Sequence, residues 1–135
     1  MKKVFLALII AASLLLLSAC AQFQAFEASE IRLISREEGV KAVLYPQDED
    51  YMMLIEACTG CIDTDIPACP FGISEMQFVI GEKTISVYPA GDQCTKFALG
   101  ELESGKELSV VYITEDKMNI IHDVLNKYGI QTQGA

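Results

Sequence analysis

Three times in this chain a run of alternating apolar residues meets a short glycine-containing turn and then a second such run, and that pattern leaves few folds open. Ile31 and Leu33 alternate with Arg32, Arg36-Glu37-Glu38-Gly39 breaks the run, and Val40 to Tyr45 is mostly apolar until Pro46. Met76, Phe78 and Ile80 lead through Gly81-Glu82-Lys83 to Ile85 and Val87, where Pro89 stops the run. Phe97 and Leu99 lead through Glu103-Ser104-Gly105-Lys106 to Leu108, Val110 and Tyr112. Period-two spacing puts one side of each strand in a core, and the glycine supplies the positive φ of a tight turn, so each unit predicts an antiparallel hairpin. Ser35 and Glu38 also have capping-box spacing, which would allow a helix over 36–44. Gly39 and the β-branched Val40 and Val43 favour the strand.

The remaining segments complete the expected fold. Tyr51 to Ala57, YMMLIEA, is apolar at almost every position and reads as a central strand covered on both faces. It runs into Cys58-Thr59-Gly60-Cys61 and then into 62–72, a loop containing Pro67 and Pro70. At the end, Thr114 is an N-cap, Glu115 and Asp116 fill the first turn, Lys127 the last, and Gly129 follows. Met118, Ile121, Leu125 and Tyr128 lie at helical spacing between them and form a packing stripe. The predicted class is α+β: an antiparallel β-sheet of about seven strands in hairpins, open or folded into a sandwich, with one C-terminal α-helix.

The first twenty residues speak to location. Lys2 and Lys3 precede Val4 to Leu17, an apolar run interrupted only by Ser13, and Leu17-Ser18-Ala19-Cys20 closes it. Fourteen helical residues span roughly 21 Å, short of the ~30 Å bilayer core, as in an export signal. The ending resembles the lipobox of bacterial lipoprotein signal peptides, and the resemblance covers residues 1–20 only. It implies cleavage between Ala19 and Cys20 and a diacylglyceryl thioether on Cys20, the membrane attachment then coming through lipid. It also implies a cell-envelope location on the extracytoplasmic side. Ala21 is not the aspartate that retains such proteins at the inner membrane, which favours the outer membrane in a Gram-negative source. The division expected is a cleaved signal (1–19), a lipidated tether (20–29) and a single globular domain (30–135).

Charge narrows the partners. Without Lys2 and Lys3, eight of the ten basic residues stand against nineteen acidic ones, a formal charge of −11. Such a surface repels phosphate backbones, so nucleic acid is not an expected partner.

In an exported domain the even set Cys58, Cys61, Cys69 and Cys94 points to disulfides. The pairing 58–94 with 61–69 constrains the unfolded chain most, and 58–61 with 69–94 is the other arrangement weighed. Cys58-x-x-Cys61 after an apparent strand also resembles the redox pair of thioredoxin-like proteins, and four thiols suit zinc. The prolines that follow, the missing parallel β-α-β frame and the lack of a second close cysteine pair speak against both.

No nucleophile elbow, metal-protease motif or phosphate-cradling loop occurs. His122, the single histidine, flanks the helical stripe, and Asp48-Glu49-Asp50 and Asp63-x-Asp65 lack calcium-loop spacing. The expectation is therefore a non-catalytic binding or accessory domain without cofactor or metal. An envelope protein is its expected partner, met at loops 46–50, 59–75 and 89–95. The competing expectation is a thiol–disulfide oxidoreductase or thiol metal-binding protein using Cys58 and Cys61.

Overall fold

The computed structural model of the protein describes residues 21–25, 27–63, 69–91, 94–100 and 109–133. The signal segment, Cys20, Phe26, Asp65 and the turn expected at 103–106 lie outside the described residues.

The described residues form an α+β fold, eight strands in one antiparallel sheet with two helices. The strands are β1 (Gln22–Phe23), β2 (Glu30–Ser35), β3 (Gly39–Leu44), β4 (Gly60–Asp63), β5 (Ser74–Ile80), β6 (Lys83–Pro89), β7 (Lys96–Leu99) and β8 (Ser109–Tyr112). The helices are α1 (Glu49–Ala57) and α2 (Glu115–Lys127). The sheet order is β1-β4-β8-β7-β6-β5-β2-β3, so the strands make one sheet rather than the two of a sandwich.

All three expected strand pairs form, the turn of the third lying outside the described residues. β2 pairs with β3, β5 with β6 and β7 with β8, every pair antiparallel. Gly39 and Gly81 turn the first two with φ of 80° and 61°, a region that other residues resist. The pairing continues sideways through Ile31↔Phe78, Phe78↔Ile85, Met76↔Val87 and Phe97↔Val111, which aligns these side chains on one face. That face meets Leu54, Ile55, Met118, Ile121 and Leu125 of the two helices in a single core. Ala98 and Val110, paired on the opposite face, are also fully buried, so the sheet centre is covered on both sides.

Tyr51 to Ala57 is helix, not the expected central strand. Asp48 sits at the N-cap position with extended backbone, Glu49 and Asp50 occupy the first turn, and Met, Leu, Glu and Ala favour helix. Tyr51, Leu54, Ile55 and Cys58 face the core at helical spacing, while Met52 and Met53 point outward. Those two exposed methionines are what made the segment look like a continuous apolar strand.

The expected tether is also part of the fold. β1 pairs with β4 through Gln22↔Cys61 and Phe23↔Gly60, and Ile62 N–H donates to Ala21 O at 2.8 Å. Phe23, Ala25 and Ala28 are buried, and Tyr51 Oη donates to Ala28 O. An aromatic ring and two small side chains here gain more by packing than a free linker would. β4 in turn lies so close to β8 that a Cβ on Gly60 would collide with Tyr112 O, so only glycine fits.

At the other edge, β3 carries a bulge. Leu33 pairs with Ala42 and Ile34 with Val40, which leaves Lys41 as the extra residue, and it is ion-paired to Glu38. A bulge and a lysine interrupt the row of backbone groups that another strand would need, so this edge is protected against strand addition.

Candidate functional site

Of the four cysteines expected in disulfides, the structure joins Cys69 to Cys94, with Cα atoms 6.2 Å apart. Cys61 is disulfide-bonded too. Cys58 is a free, fully buried thiol, which overturns the favoured 58–94 and 61–69 pairs and leaves 58–61 unformed. The cause is α1: with 51–57 helical, Cys58 lies one turn after Leu54 and is carried into the core, its N–H donating to Leu54 O at 2.8 Å.

That position is the reverse of a redox cysteine's. Cys58 closes a helix at its negative end instead of opening one, and burial pushes its thiol well above the ordinary 9.0. We expect Cys58 in the native protein to resist iodoacetamide at neutral pH and to react fully in denaturant. Intact mass before and after unfolding checks this, and fast native labelling would restore the thiol-enzyme reading.

The Cys69–Cys94 bridge ties the segment before β5 to the loop between β6 and β7. Gly91 N–H donates to Pro70 O at 3.0 Å and Cys94 N–H to Gly91 O at 3.2 Å, so the bridge sits within a small hydrogen-bonded knot. The expected binding loop 59–75 is strand at Gly60–Asp63 and again from Ser74, and its part from Cys69 meets the expected loop 89–95. The third does not join them. The segment 46–50, whose last two residues open α1, follows Leu44, which pairs with Ile31, whereas Ser74 pairs with Ser35 at the other end of β2.

Beside the knot lies a cavity of about 410 Å³, lined by Thr95, Glu115, Met118, Asn119, His122 and Gln133. Glu115, Asn119 and His122 lie four and three residues apart along α2, and Thr95 is held next to Cys94. Ile113 N–H, just before the helix, donates to Thr95 O at 3.1 Å. His122 Nε2 is 3.1 Å from Ala90 O. A carbonyl can only accept, so Nε2 carries the proton and a neutral ring keeps Nδ1 as an acceptor. Gln133 arrives from the segment after α2, which packs closely on Gly91, where a Cβ would stand 3.1 Å from Thr132 O. The volume falls in the range of small-molecule sites, roughly 300–1,000 Å³.

The sequence marked His122 but not its companions. Their signal was present, since 115, 119 and 122 share one helical face on the flank of the packing stripe.

The acidic segment 48–50 is committed elsewhere. Asp48 Oδ2 accepts from Tyr45 N–H at 2.8 Å. Asp50 Oδ2 accepts from Lys127 Nζ at 2.8 Å and Tyr128 Oη at 2.7 Å, joining the start of α1 to the end of α2. These two hydrogen bonds, Lys127's first, hold the Asp50 carboxyl below its ordinary 3.8 against the opposing effect of burial. The bond to Asp50 raises Tyr128 above 10.0.

Asp50→Ala should cost about 1–2 kcal/mol in urea unfolding at neutral pH. A depressed carboxyl stabilises the fold above its unfolded value, so the cost should vanish as the pH falls below 3.8 through the folded value. For Tyr128 the sign is opposite: its contribution is complete below 10.0 and is lost as the pH rises through the folded value.

Among the described residues no cluster of three His, Cys, Asp or Glu side chains is placed to hold a metal ion. No helix among them is long and apolar enough to cross a membrane. No family model matches the chain, and no curated protein or solved structure matches it either.

Proposed function

We propose that this chain is a lipid-anchored protein of the bacterial cell envelope whose folded part binds or scaffolds a partner and catalyses nothing. The observation that carries the anchor is Leu17-Ser18-Ala19-Cys20 behind two lysines and the apolar run Val4 to Leu17. One acyl chain holds a protein only marginally, whereas two or three hold it firmly, at about 0.8 kcal/mol per buried methylene. The acidic surface favours basic or neutral partners over nucleic acid.

A fatty-acid analogue fed to the producing cells should label the wild-type chain and leave Cys20→Ser unlabelled in the soluble fraction. A thioether consumes the Cys20 thiol, so a lipidated Cys20 and a disulfide-bonded Cys20 are mutually exclusive. Intact mass after alkylation separates them. A mature protein without lipid, its Cys20 linked to Cys61, would sink the anchor.

A further inference from the structure

The cavity beside the Cys69–Cys94 knot has no part in anchoring, and the charged side chain in its lining is the Glu115 carboxylate. Glu115 supplies a carboxylate, Asn119 and Gln133 supply amide oxygens, Thr95 a hydroxyl, and His122 a ring whose Nε2 proton already points to Ala90 O. Five groups able to accept hydrogen bonds surround a floor formed by the buried Met118. Among the described residues no lysine or arginine lines the space. Lys117, in the same turn of α2, is drawn away to Thr59 O, 2.6 Å from Nζ.

The first-turn amide of α2 is already capped, Lys117 N–H donating to Thr114 Oγ1 at 3.3 Å, so it offers little to an anion. Glu115 and Asp116 offset the positive end of the helix, and the charge of the whole chain is negative. An anion would meet an unpaired carboxylate and an adverse field. A small molecule with an ammonium group would meet acceptors that have nothing else to do.

We propose that this cavity is a ligand site for a small hydroxylated amine, the ammonium placed on Glu115 and the hydroxyls shared among Thr95, Asn119 and Gln133. The disulfide beside Thr95 and the helical backbone under Glu115, Asn119 and His122 fix where these residues stand, and a fixed backbone lowers the entropy lost on association. The proposal rests on reading the domain as a binding module and is independent of the lipid.

His122 is the single histidine of the chain, so its ring protons give one unambiguous NMR reporter. At fixed pH, glucosamine and ethanolamine should shift that resonance saturably, while glucose and ethylene glycol leave it in place. Glu115→Gln should weaken amine binding at least tenfold, which is about 1.4 kcal/mol. Asn119→Asp adds a second carboxylate and should tighten it, a gain that misfolding cannot imitate. Glu37→Gln, an exposed acid in the β2–β3 turn, should change nothing. Equal shifts from the uncharged partners, a response that never saturates, or unchanged affinity in Glu115→Gln would overturn the site. New resonances from a converted probe would keep the site and overturn the binding-module reading.

Discussion

Phe97→Ala is expected to cost about 3–5 kcal/mol, a large share of the roughly 5–15 kcal/mol that holds a domain of this size. The ring is fully buried on β7. It lies opposite Val111 of β8 on one side and Pro89 of β6 on the other. Phe23 meets it edge-to-face, with ring centroids 5.8 Å apart. Removing it opens a cavity where the N-terminal segment, the sheet and the helices converge, and neighbours held by strand pairing cannot collapse into the space. Denaturant unfolding followed by circular dichroism measures the loss.

The partner variant carries more information about the fold. If residues 21–29 were a free tether, Phe23→Ala would leave stability unchanged. With Phe23 packed on Phe97, the double-mutant cycle should show a coupling of about 0.5–1.5 kcal/mol. A zero coupling would detach β1 from the domain.

How much of this was legible in the sequence follows from which signals compete. The hairpins were readable because alternation and glycine turns agree, as at Met76, Phe78, Gly81 and Ile85. α2 was readable because cap, first-turn acids and stripe all point the same way from Thr114 to Gly129. α1 was hidden, since Met52 and Met53 are apolar yet exposed and fill the gaps in the period of Tyr51, Leu54 and Ile55. Misreading that element misplaced Cys58, and the favoured pairing failed with it, while Cys69–Cys94, half of the other arrangement weighed, is present. β1 was hidden for another reason. Two residues are too short for any periodicity, and their pairing depends on β4, distant in sequence. The cavity depends on Thr95, Glu115 and Gln133 converging from three segments, and no local pattern encodes that.

Replacing both Cys69 and Cys94 by serine should lower stability by about 3.5 kcal/mol, the chain-entropy value for closing a loop of this sequence separation, 25 residues. The double substitution is preferable to reductant, which would also open the disulfide at Cys61. Far-ultraviolet circular dichroism should stay native, because β5, β6 and β7 keep their own ladders. The loss should appear in urea unfolding and in amine binding. Without the bridge, Thr95 is positioned by weaker backbone contacts, Ile113 N–H on its own carbonyl, Cys94 N–H on Gly91 O and the Lys96–Tyr112 end of the β7–β8 ladder. Any ordering of that loop must then come from the ligand, which weakens affinity. A brace and a redox centre diverge here. A brace lowers stability and affinity in step and transfers no electrons. A variant as stable as wild type would show that the knot is held by Gly91 and Pro70 alone, with the disulfide incidental to the site.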